Sequence, residues 1–136
     1  MEELKIGAEA TVQLTVSTAD TALSMGSGTL EVLATPAVVA LMEQAACKVL
    51  EHSAEPGTTT VGTHISIEHL SASPVGASVT AKAVLTQAEG RKYCFDIEAY
   101  DNAGLIAKGK HERFLVKSGR FMEKTNQKLS QNERSV

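Results

Sequence analysis

Residues 34–52 read ATPAVVALMEQAACKVLEH, and the arrangement of that stretch in space decides the fold. Apolar residues recur three and four apart, the period of a helix with one buried face. Pro36 suits the first helical position, where its missing N–H would have no intrahelical partner, and Thr35 is placed to cap. The helix is expected to run to about His52 and to stop where Pro56 and Gly57 break it. In projection Val38, Met42, Ala45, Ala46 and Val49 form the apolar face, and Gln44, Lys48, Glu51 and His52 the polar one. Glu43 belongs to neither. Its angular neighbours are Val39, Ala40, Cys47 and Leu50, which predicts a carboxylate on a partly dry wall. Burying an ionised carboxylate is costly unless it is paired. Two readings stay open: a boundary glutamate reaching for water, or a base or nucleophile held for chemistry.

On the N-terminal side, residues 10–17 alternate, with Val12, Leu14 and Val16 on one face and Thr11, Gln13 and Thr15 on the other, the pattern of a half-buried strand. Residues 18–34 have no sustained period and read as a long loop, of a length that in compact domains usually serves binding. On the C-terminal side come residues 59–72, 77–90, 91–104 and 105–119, a run of strands. Val79, Ala81, Ala83 and Leu85 share a face, as do Tyr93, Phe95, Ile97 and Ala99, and DNAG at 101–104 is a hairpin turn. The last strand carries Ala107, Gly109, His111, Arg113 and Leu115 on one side. One helix against one antiparallel sheet is an α+β arrangement. Residues 1–118 are expected to form a single domain and residues 119–136 a polar C-terminal tail or short helix outside its core.

The 136 residues, 43% hydrophobic and 21% charged, suit one soluble domain with its own core. A net charge of −3 gives no electrostatic case for nucleic acid as partner. No apolar run is long enough for a membrane span and the first residues lack a signal core, so the expected compartment is the cytoplasm. Cys47 and Cys94 have no metal or redox spacing and read as reduced, small core residues. No set of side chains has metal-ligand spacing, and there is no phosphate loop or nucleophile elbow. Water activated by a carboxylate is the chemistry that best matches what remains. His52 falls on the polar helical face. His64 and His69, five apart in one strand, face opposite ways, so one of them at most points at the helix unless a bulge intervenes. The pattern does not choose between them. His111 shares a face with Arg113, and Gly62 suits a bulge or a close backbone approach.

Three ordered motifs carry a resemblance: LATPAVVALMEQAAC, EPGTTTVGTHISIEHLSASPVG, and EGRKYCFDIEAYDNAGLIAKGKHERFLV. At these separations, over roughly residues 5–128, the chain resembles the hotdog-fold acyl-CoA thioesterases, most nearly the branch that includes fluoroacetyl-CoA thioesterase. The resemblance implies a long central helix wrapped by an antiparallel sheet, and a homodimer or tetramer with active sites between copies. It implies that Thr35, Glu43 and His69 act together as catalytic residues, and it thereby favours His69 over His64. Gly62 and Arg113 match positions expected to serve substrate binding. The implied substrate is an acyl-CoA, with coenzyme A part of the substrate and no separate cofactor or metal. The branch carries an aromatic-bearing lid before its helix. Here residues 17–33 hold Met25 and leucines but no Phe, Tyr or Trp, so the acyl group is left as a short or medium chain. Two other readings remain: a hotdog hydratase or dehydratase, and a non-catalytic acyl-CoA binding protein.

Overall fold

The apolar face of the helix needs a wall, and alternating strands supply one. In the computed structural model, which describes residues 3–134, the elements are β1 (Glu9–Thr15), a 3-10 turn (Thr18–Asp20), α1 (Ala22–Met25) and α2 (Thr35–Leu50). Then come β2 (Thr58–His69), β3 (Ser78–Glu89), β4 (Lys92–Asp101), β5 (Gly104–Lys117) and α3 (Ser118–Arg134). The five strands make one antiparallel sheet in the order β1-β3-β4-β5-β2, wrapped around α2. β1 and β2 are therefore its edges.

Val38, Met42, Ala45 and Ala46 of α2 are buried, as projection predicted, with Leu41 and Leu50 beside them. They pack on Val79, Ala81, Ala83 and Leu85 of β3 and on Phe95, Ile97 and Ala99 of β4. Ala81, Ala83, Ala99 and Ala107 line the sheet within this core, so a core with little aromatic content still fills. The β4–β5 hairpin forms at DNAG: Asp101 Oδ1 accepts from the Ala103 N–H at 2.8 Å, and Asp101 Oδ2 accepts from the hydroxyl of buried Ser73 at 2.8 Å. These bonds, the Ala103 one foremost, lower the Asp101 pKa from its ordinary value.

Three expectations change. Thr35 does not cap α2. Ala34 holds that position in an extended conformation, with no side-chain bond to the helix. The Ala34 N–H is tied to the Asp20 carbonyl and the Leu33 N–H to Ser73, which starts the helix one residue earlier and frees the Thr35 hydroxyl. Cys47 is exposed rather than in the core, and Cys94 is half-buried. Cys47 shares an uncovered strip of α2 with Pro36 and Ala40, because the sheet lines the opposite side of the helix. The segment before α2 is a loop carrying real structure: the 3-10 turn, one turn of helix, and bridges that pair Thr21 with Leu33 and Val32 with Pro74. After β5 the chain turns straight into α3, whose side chains through Ser130 are almost all exposed. Residues 135–136 of the expected tail lie outside the described residues.

Candidate active site

β2 decides which histidine reaches the helix. Its register against β5 shifts once, between Gly62 and His64, and then runs without interruption to His69. His64 pairs with Glu112 and His69 with Ala107, a buried residue, so the two histidines keep the opposite faces that alternation requires. His69 is the one that faces α2. Its Nδ1 lies 2.7 Å from the Thr35 hydroxyl, a hydrogen bond between the end of β2 and the first turn of the helix. Its Nε2 is buried and, among the described residues, has no hydrogen-bond partner. A buried polar atom without a partner is uncommon in a folded chain and marks a place where another group belongs. The pair lines an open cleft of about 290 Å³ whose other walls include Ala22, Val32, Leu33, Leu70 and Ala72.

Glu43 lies eight residues along α2 from Thr35, about 12 Å of axial rise. Its side chain is 38% exposed, so the wall that projection made apolar is open in a single chain. Under it lies a buried basic group. Arg113, only 6% exposed, donates from Nε to the Thr60 hydroxyl at 2.9 Å and from Nη2 to the Thr60 carbonyl at 3.0 Å. Its Nη1 reaches Glu43 Oε2 at 3.4 Å and His111 Nε2 at 3.2 Å. Gly62 makes room for this arrangement: a Cβ there would stand 2.8 Å from Glu43 Oε2 and 3.3 Å from Arg113 Nη1. His111, 1% exposed, completes the group, with Nδ1 2.7 Å from the His64 carbonyl. Burial pushes the His111 imidazole below its ordinary pKa, helped by the Arg113 charge and opposed by the His64 carbonyl and Glu43.

The five predicted residues thus fall into two groups: Thr35 with His69, and Glu43 with Gly62 and Arg113. Sequence reasoning missed His111 and Thr60 as members of the second. The signal for His111 was its place beside Arg113 on the inward face of β5; nothing in the sequence marked Thr60. A larger concavity than the cleft beside Thr35 and His69, about 620 Å³, lies instead against Lys82, Asp96, Glu98, Lys108 and Lys110 of the sheet and contains none of these residues.

A family model described as fluoroacetyl-CoA-specific thioesterase matches residues 16–119. The fluoroacetyl-CoA thioesterase of Streptantibioticus cattleyicolor is 38% identical over 98 residues, covering 72% of this chain and 70% of that protein. A solved structure of the fluoroacetyl-CoA thioesterase FlK superposes with a TM-score of 0.89 at 31% identity, over 93% of this chain and 98% of that one. A Thermus thermophilus protein described as a thioesterase superfamily member superposes with a TM-score of 0.88 at 25% identity over the full length of both chains. A variant of FlK solved in complex with fluoroacetate and CoA superposes with a TM-score of 0.82 at 31% identity, over 86% of this chain and 98% of that one.

Proposed function

The chain belongs to the fluoroacetyl-CoA-specific thioesterase family and has its hotdog fold; it hydrolyses an acyl-CoA thioester, and from this we propose how its own residues do so. The observation that carries the reading is the Thr35–His69 hydrogen bond at the mouth of the 290 Å³ cleft, with Glu43 on the same helix. The acyl group enters the cleft and the thioester lies along α2 toward Glu43. The Glu43 carboxylate either takes a proton from a water that attacks the carbonyl carbon, or attacks that carbon itself, expelling the thiolate and leaving a mixed anhydride that water then hydrolyses to the acid and the restored carboxylate. His69 Nδ1–H donates to the Thr35 hydroxyl, which in turn donates to the oxyanion that develops, and the proton released by the attacking water passes to the departing thiolate. The products are the free acid and CoA. Arg113 holds Glu43 in place, and Gly62 leaves the space in which it sits.

The cleft wall is aliphatic, and Leu23, Met25 and Leu30 stand exposed on the segment beside it. A short or medium aliphatic acyl chain fits that lining. The working unit is a homodimer. β2 is a twelve-residue edge strand, and an edge of that length is stabilised when a second copy pairs with it. The strip of Pro36, Ala40 and Cys47 beside Glu43 would be covered by the same copy.

The test is release of free thiol from acyl-CoAs of two to twelve carbons, ~2 to ~12 by chain length, with branched and aryl members, for wild type and Glu43→Gln. Release on a short or medium class, falling by about 10³-fold or more in the variant, is expected. A glutamine variant of near wild-type rate overturns the role of Glu43. Binding without release on every chain would favour a non-catalytic acyl-CoA protein, and a change in enoyl absorbance without thiol release a hydratase.

A further inference from the structure

His111 has no part in the mechanism above, yet it is buried and titratable and lies 4.0 Å from Glu43 Oε2. Its tautomer follows from its partners. The His64 carbonyl, 2.7 Å from Nδ1, can only accept, so Nδ1 carries the proton. In the neutral ring Nε2 is then a bare acceptor, and the group 3.2 Å away is Arg113 Nη1, which can only donate. Thr60 takes the Nε proton through its hydroxyl and one Nη2 proton through its carbonyl. Nη1 has two protons, and its neighbours within reach are His111 Nε2 and Glu43 Oε2.

We propose that His111 is a positioning residue for hydrolysis: its Nε2 accepts one Nη1 proton of Arg113 and so aims the other at the Glu43 carboxylate. Without that acceptor the Nη1 end is held from one side only, and its contact with Glu43, already long at 3.4 Å, loses its direction. The charged and titratable groups that face the ring are Arg113 on its own strand, Glu43 from α2 and His64 from β2, with Phe95 of β4 packed against it at 6.2 Å between ring centroids.

The proposal rests on the reading of Glu43 as the acting carboxylate, and the experiment separates the two. His111→Gln places an amide oxygen near the position of Nε2 and keeps the acceptor for Arg113. His111→Asn keeps only a donor for the His64 carbonyl. Both are compared with wild type and Glu43→Gln for thiol release on the best acyl-CoA, alongside melting temperature. The expected result is that His111→Gln keeps activity within about threefold while His111→Asn loses about 10-fold or more, mainly in kcat. In an Arg113→Lys background His111→Asn should cost little further, because the positioning path is already cut. A ring that only ties β5 to β2 gives the reverse ranking, with His111→Asn active and His111→Gln impaired, and that outcome overturns the proposal. Equal activity of both with wild type overturns it as well. An active Glu43→Gln variant overturns the reading of Glu43 instead, whichever way His111 falls.

Discussion

At the scale of single residues, the site is built from groups whose protonation is fixed by what surrounds them. His111 must stay neutral: a second proton on the ring would point at Arg113 Nη1, two donors and two like charges face to face. Its folded pKa lies below the ordinary 6.5, mainly through burial, so below that value the unfolded chain binds a proton that the folded one does not. Stability from this group is therefore complete above about pH 6.5 and is lost as pH falls below it, with no further loss once the folded pKa is passed. Melting temperature measured from pH 8 down to about pH 4 should fall less steeply in His111→Gln than in wild type. Identical slopes would show that the ring titrates in the folded chain as it does in the unfolded one. His111 also shows what sequence can and cannot carry at this scale. Alternation along β5 set it inward beside Arg113, but only the bulge at Gly62 of β2 and the facing position of Glu43 on α2 bring these three charged or titratable groups together. That convergence is a property of the sheet's curl around α2, which no local pattern records.

At the scale of elements, α2 was legible because its period is strong, and the strands were legible because β3 alternates from Val79 to Leu85 and β4 from Phe95 to Ala99. The start of α2 was not. A threonine before a proline resembles a cap, yet the bonds from Leu33 and Ala34 to Ser73 and Asp20, residues distant in sequence, fix the start of the helix at Thr35 itself. The consequence is measurable. Because Thr35 makes no cap hydrogen bond and its side chain bonds His69 alone among the described residues, Thr35→Ala should cost no more than about 1 kcal/mol, the worth of that one bond, and Thr35→Ser, which keeps the hydroxyl, less than about 0.5 kcal/mol. Thr35→Ala should lower kcat/KM by about 10²-fold, as loss of a hydroxyl aimed at the developing oxyanion would. Thermal melts and acyl-CoA kinetics on one preparation decide the matter: a clear fall in melting temperature with kcat/KM retained would return Thr35 to a structural role. His69 was selected by family resemblance and not by pattern, and the register of β2 supplies the physical reason, since only its odd side from Ile65 onward faces the helix.

At the scale of the whole molecule, the proposed dimer is tested on the surfaces that one chain leaves uncovered. The single chain leaves uncovered the twelve-residue β2 edge and the α2 strip of Pro36, Ala40 and Cys47, and between them lies Glu43 with an exposed side chain. Projection had put Glu43 on a dry wall; in one chain that wall faces solvent, and a partner copy would make it dry. Ala40 is the position that tests this. In a chain that works alone, Ala40→Asp is a surface change worth no more than about 0.5 kcal/mol and should leave thiol release intact. In a dimer closed over this strip it introduces an unpaired carboxylate near Glu43, a cost of several kcal/mol that association would have to meet. Sedimentation equilibrium at micromolar concentration should give a two-chain mass for wild type, or a multiple of it, and a one-chain mass for Ala40→Asp, with the variant still folded by circular dichroism. Thiol release should fall with the mass, because the wall around Glu43 is then open. A wild-type protein of one-chain mass with full activity would place the whole reaction within a single copy, and the 12 Å between Thr35 and Glu43 would then have to be spanned by the substrate alone.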